Sequence, residues 1–125
     1  MSDKTLYDRL GGYDAIAAFA ENIIPRFRQD ELLARFWTHR SIDEVARETQ
    51  TFINYICSTT GGPVFYTGRD MVTAHRGMRI NNDDWDALLF HLDATFDHFQ
   101  TGEMEREEMI AMINSVKSDI VDKIE

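Results

Sequence analysis

Two glycine pairs set the limits on what this chain can fold into. Gly11-Gly12 and Gly61-Gly62 interrupt a sequence that is otherwise helical in its periodicity almost from end to end, and Pro25 and Pro63 are the only prolines. The second pair opens Gly-Gly-Pro-Val-Phe-Tyr-Thr-Gly, a run poor in helix formers that predicts a loop. Thr5 with Asp8 three places on predicts an N-cap and a short first helix that stops at Gly11-Gly12. Ile16, Ala17, Phe19, Ala20, Ile23, Ile24 and Phe27 then recur at helical spacing and predict a second helix, bent at Pro25 because a backbone donor is missing there. Asp30 is placed to cap a brief turn carrying Leu32, Leu33, Phe36 and Trp37, an aromatic corner.

Ser41-Ile42-Asp43-Glu44 has the form of a capping box, and Val45, Ala46, Thr49, Phe52, Ile53 and Ile56 behind it make one apolar face of a helix running to about Ser58. Arg69 to Met78 is a short helical segment by its composition. Asn81 with Asp84 repeats the cap-and-acid pattern ahead of Trp85, Leu88, Leu89, Leu92, Phe96 and Phe99, which follow the helical period. A last helix is expected from Glu103 to Asp122, burying Met109, Ile113, Val116 and Ile120. Sustained period-two alternation is absent, so the expected fold class is all-α, in a single domain over residues 1–125.

Charge narrows the function classes. Thirteen Lys and Arg against 22 Asp and Glu leave a net charge of -9, which phosphate backbones and anionic lipid surfaces would repel. Nucleic acid is therefore a disfavoured partner. No stretch reaches the roughly 18 apolar residues of a membrane helix. The opening MSDKTLYDRL lacks the apolar stretch of a secretory signal, so a cytoplasmic protein without a membrane partner is expected. Cys57 is the only cysteine, too few for an internal disulfide or a thiolate metal cage.

Four histidines are the candidates for chemistry: His39, His75, His91 and His98. None belongs to a His-Glu-x-x-His zinc motif. His91 and His98 lie in the amphipathic helix, where a hydrogen-bonded boundary histidine is the ordinary reading. His75 lies between the glycine loop and the turn at Asn81-Asn82, with Met71, Met78 and Ile80 around it. Its spacing alone fits a partly buried structural histidine as well as a ligand.

The wider context resembles a known family. Leu-Tyr-Asp-Arg-Leu-Gly-Gly at the start, Phe36-Trp37 at the corner, and Thr-Gly-Gly-Pro-Val-Phe-Tyr-Thr-Gly-Arg-Asp-Met-Val-Thr-Ala-His-Arg-Gly-Met-Arg-Ile at positions 60–80 resemble the truncated haemoglobins, those of group I above all. The resemblance spans essentially the whole chain. It implies a truncated globin fold, a sandwich of two helices over two around haem b, with His75 as the proximal iron ligand. It also implies haem contacts from Phe36, Trp37, Met71, Ile80 and Trp85, with core packing an equal alternative for Phe36 and Leu88. Arg79 and Tyr66 are the candidates to hold the propionates, with Arg69 in the same neighbourhood.

On the distal side this sequence departs from the family. Many relatives carry a tyrosine donor in the middle of the second helix, where gapless matching places Ile24. The expected polar positions of the capped helix fall at Glu48 and Phe52, and Tyr55, one turn further along, is the candidate donor. His39 is a remote candidate for a sixth ligand. The resemblance implies binding of oxygen, nitric oxide and carbon monoxide. It leaves open nitric oxide dioxygenation with a partner reductase, or peroxidase-like activity. A six-coordinate haem redox or sensor protein and a small helical interaction domain without haem remain the alternatives.

Overall fold

The computed structural model describes residues 4–66, 68, 71, 75 and 78–121, and its regular elements are all helical. They are α1 (Leu6–Leu10), α2 (Gly12–Gln29), a single 3₁₀ turn (Ala34–Phe36), α3 (Ile42–Thr59), α4 (Asn82–Phe99), α5 (Glu103–Asn114) and α6 (Lys117–Ile120). Among the described residues there is no strand, and no helix is long and apolar enough to cross a membrane.

The glycine pairs act together. Gly11 has φ 108° and caps α1, its amide reaching the carbonyls of Asp8 and Tyr7, and α2 starts at the very next residue. A left-handed backbone of this kind suits glycine because a Cβ would be strained there. Gly62 serves a different need. A Cβ on it would lie 2.4 Å from the Tyr7 ring, so only glycine lets the end of α3 close onto α1. The Tyr7 amide completes the junction by donating to the Thr60 carbonyl at 2.9 Å. Two breaks 50 positions apart thus become one seam.

α2 is the central helix, packed along α3 and α4, with α1 and the 3₁₀ turn at its two ends. Its buried residues are Ile16, Phe19, Ala20, Ile23, Ile24 and Phe27, spaced at three and four as the sequence predicts. Pro25 lies inside the helix on the exposed side, and the helix runs on to Gln29. Ile53, Ile56 and Cys57 of α3, Trp85, Leu92 and Phe96 of α4, and Met109 and Ile113 of α5 complete the core. Burial raises the pKa of the Cys57 thiol, so the side chain serves as a small core group.

The expected last helix departs from the sequence reading. It breaks after Asn114 into α5 and the four-residue α6, and Val116 and Ile120 are only half-buried. The apolar spacing of Met109 and Ile113 continues through Val116 and Ile120, so the break does not follow from the period. Asp122 lies outside the described residues, as does most of the expected helix from Arg69 to Met78. Met71 and His75 of that helix are described, and both have helical backbone.

Candidate functional site

The best-defined chemistry is at His75. Its Nδ1 lies 2.9 Å from the main-chain carbonyl of Met71, one helical turn back. A carbonyl only accepts, so Nδ1 carries the proton, and in the neutral ring the lone pair is left on Nε2. A second partner of this kind is what fixes the orientation of a metal-binding imidazole. His75, Met71 and Met78 are half-buried, and Ile80 is buried.

The aromatic corner forms as predicted. Asp30 Oδ1 accepts from the amides of Leu32 at 2.7 Å and Leu33 at 3.1 Å, which holds the turn that leads into the 3₁₀ residues. A turn this short has little stability of its own, and it is fastened to α4 at two points. Asp30 Oδ2 meets His91 Nε2 at 2.7 Å, and Arg35 Nη2 donates to Asp84 Oδ2 at 2.6 Å. Asp84 and His91 are seven positions apart and so share one face of α4. On the turn sit Phe36 and Trp37, edge to face with centroids 6.4 Å apart. The Trp37 ring also stacks on Phe27 of α2 at 6.0 Å. Both corner aromatics pack against the core while staying half-buried.

The remaining candidates fall into separate groups. Trp85 is fully buried, and its indole nitrogen donates to Asn114 Oδ1 at 3.1 Å, tying α4 to α5. Ile24 lies in the core, and Phe52 packs half-buried against it. Glu48 turns to Arg40, 3.2 Å away. Tyr55 meets Tyr66 edge to face, with ring centroids 5.4 Å apart. Burial first, then Tyr66 and Asp119, raise the pKa of the Tyr55 phenol. It therefore stays protonated, and able to donate, through the neutral range.

Arg79 differs from the other described arginines in its backbone. Its φ is 58°, a left-handed backbone that costs a non-glycine residue on the order of 1 kcal/mol or more. Arg9, Arg35, Arg40 and Arg106 each hold a carboxylate, whereas Arg79, which is exposed, forms no ion pair among the described residues, as is also true of Arg26, Arg28 and Arg47. Arg69 lies outside the described residues.

Sequence reasoning missed Arg35, the stacking of Trp37 on Phe27 and the second role of Asp84. The i, i+7 relation of Asp84 and His91 was there to be read, but nothing in the chain says that the corner packs across that face. A separate cavity of about 330 Å³ opens between α1, α2, α4 and α5, over Phe19, Ile56, Phe96 and Met109, with Arg9 and Glu105 on its lining. None of the candidate site residues lines it.

These residues fit a haem: an imidazole whose Nδ1 is already bonded to a carbonyl, half-buried aromatics at the corner, and an exposed arginine with no ion pair among the described residues. Comparison with known proteins agrees. The bacterial-like globin family pattern matches residues 5–122. A group 1 truncated hemoglobin of Tetrahymena pyriformis is 27% identical over 120 residues, covering 96% of this chain and 97% of that one. Another from Mycolicibacterium paratuberculosis is 30% identical over 88 residues, covering 70% and 62%. The crystal structure of the Tetrahymena pyriformis truncated hemoglobin in its Fe(III) form superposes with a TM-score of 0.88 at 26% identity, covering 96% of this chain and all of that one. The chain belongs to the bacterial-like globins and has the truncated haemoglobin fold, a membership that implies a haem cofactor and the binding of diatomic gases.

Proposed function

We propose that this chain is a haem b protein that binds oxygen, nitric oxide and carbon monoxide, with His75 as the one axial ligand supplied by the protein. The observation that carries this reading is the hydrogen bond from His75 Nδ1 to the Met71 carbonyl, because it presets the tautomer a ligand needs. Held there by His75, haem would supply the iron at which a gas binds. Phe36, Trp37, Phe52, Met71, Ile80 and Trp85 give the pocket an apolar wall that excludes water. Arg79 and Tyr66 hold the propionate carboxylates, Arg79 as a cation no side-chain carboxylate among the described residues has claimed.

Tyr55 is the proposed donor to the gas; its phenol is protonated in the neutral range, and burial shifts its pKa further up. With Ile24 where relatives carry a hydroxyl, the α2 side contributes no donor. That favours simple gas binding over nitric oxide dioxygenation with a partner reductase, or peroxidase-like turnover.

The test is spectroscopic. The full chain supplied with haem should show a Soret band, five-coordinate when ferrous, that shifts on addition of carbon monoxide, and His75→Gly should abolish or move it. No band, or one unchanged in His75→Gly, overturns the reading and leaves a helical interaction domain. A low-spin six-coordinate ferrous spectrum would instead indicate a second axial side chain. In the same preparation Tyr55→Phe should speed oxygen release and leave carbon monoxide release unaltered. Equal oxygen release from both proteins removes Tyr55 from its role.

A further inference from the structure

Arg35 does more than pair with a carboxylate. Its guanidinium carbon lies 4.2 Å from the centroid of the Phe36 ring, on the ring face. One terminal nitrogen donates to Asp84 Oδ2 at 2.6 Å, and the other donates to the Leu32 carbonyl at the start of the corner. Asp84 is itself well held. It is 1% exposed, lies in the first turn of α4, and accepts the Asn81 amide at 3.0 Å with the same oxygen that holds Arg35. A planar cation anchored on a buried carboxylate is thus laid against the aromatic ring at the corner.

We propose that Arg35 is a positioning residue for the cofactor wall, clamping the Phe36 ring between its guanidinium and the haem. The proposal rests on the haem reading above. The guanidinium suits the task because it can donate at its edge to Asp84 and Leu32 while its face lies on the ring. A lysine ammonium could keep the attraction to Asp84, but it has no flat face to offer. The corner is held separately at its other end by Asp30 and His91, so loosening Arg35 frees the ring without releasing the whole turn.

The experiment measures haem loss from the reconstituted full chain to an excess of a haem-scavenging apoprotein. It compares wild type, Arg35→Lys, Phe36→Leu and the double variant. Arg35→Lys keeps a cation beside the buried Asp84 and so avoids the unfolding that Arg35→Ala risks. Haem loss should be about 3- to 10-fold faster in Arg35→Lys than in wild type, the range a partly exposed cation–π contact supplies. In the Phe36→Leu background the same change should alter the rate by less than about 2-fold, since coupled neighbours are not additive. Proton NMR of the cyanide-bound ferric protein should show a changed ratio of the two haem orientations in Arg35→Lys, which a mere tether between helices would not move. Wild-type haem loss in Arg35→Lys, or an equal acceleration in both backgrounds, overturns the clamp. A wild-type chain that takes up no haem overturns the haem reading and the clamp with it.

Discussion

The capping boxes that start α3 and α4 are alike as motifs and unlike as structures. In both, a small polar side chain accepts the amide of an acidic residue three places on, and the carboxylate accepts the cap's own amide. Glu44 does this 39% exposed, with Arg40 3.9 Å away. Asp84 does it 1% exposed and draws in Arg35 from 49 positions upstream. The local bonds are the same, so the difference lies in what water is allowed to do. At Glu44 solvent satisfies whatever the helix end does not. At Asp84 solvent is gone, one carboxylate oxygen is left without a protein partner, and the other must serve both the cap and the arginine. The same four-residue motif begins a helix in one place and also fastens that helix to the corner in the other.

The largest effect expected from breaking this comparison is at Asp84. Asp84→Ala removes a cap and a charge-assisted bond together and should lower unfolding stability by about 2 to 3 kcal/mol. Arg35→Ala should cost a comparable amount for a different reason, because it strands a buried carboxylate. Urea unfolding of the two variants checks this. If Asp84→Ala unfolds at the wild-type midpoint, burial does not separate the two boxes.

Asp30 lies between the extremes, with its side chain 21% exposed. It accepts two corner amides and meets His91, so Asp30→Ala should cost about 1 to 2 kcal/mol at neutral pH. The hydrogen bond with His91, ahead of the two amides, holds its carboxyl below the ordinary value. A depressed carboxyl stabilises the fold fully above its unfolded pKa, about 3.9, and loses that contribution as pH falls through the lower folded value. Thermal melts of wild type and Asp30→Ala should therefore differ at pH 7 and converge below about pH 4. A gap that persists in acid would mean the carboxylate's charge is not what holds the corner.

The elements were legible where a cap and a period coincide: Thr5, Ser41 and Asn81 each start a helix as read, and Asp30 holds the turn ahead of the 3₁₀ residues. Those are local signals, set by bonds that span three residues. The break after Asn114 was not legible, because Val116 and Ile120 keep the apolar spacing of α5 while the helix itself stops. His75 stood out by its context, and its tautomer needed the Met71 carbonyl to be seen. Arg35 could not be found from the chain, since its partner lies 49 positions away and its ring contact depends on the corner's exact turn. Long-range polar contacts have no period to betray them.

The smallest effect belongs to Glu44, and its sign can be worked out. The Ser41 amide, first among several causes, holds the Glu44 carboxyl below its ordinary value. The contribution is therefore present above the unfolded glutamate pKa, about 4.3, and is lost as pH falls through the folded one. Glu44→Gln keeps an oxygen that can accept the Ser41 amide and gives up only a charge that water and salt already screen. Its melt at pH 7 should be barely distinguishable from wild type, and added salt should shrink what gap there is. Asp84→Asn makes the same chemical change where there is no water to share the load, and its bond to Arg35 loses the charge assistance. Should Glu44→Gln destabilise the fold as much as Asp84→Asn does, the two boxes would differ in position only, and the Arg35 pair would be incidental to the second.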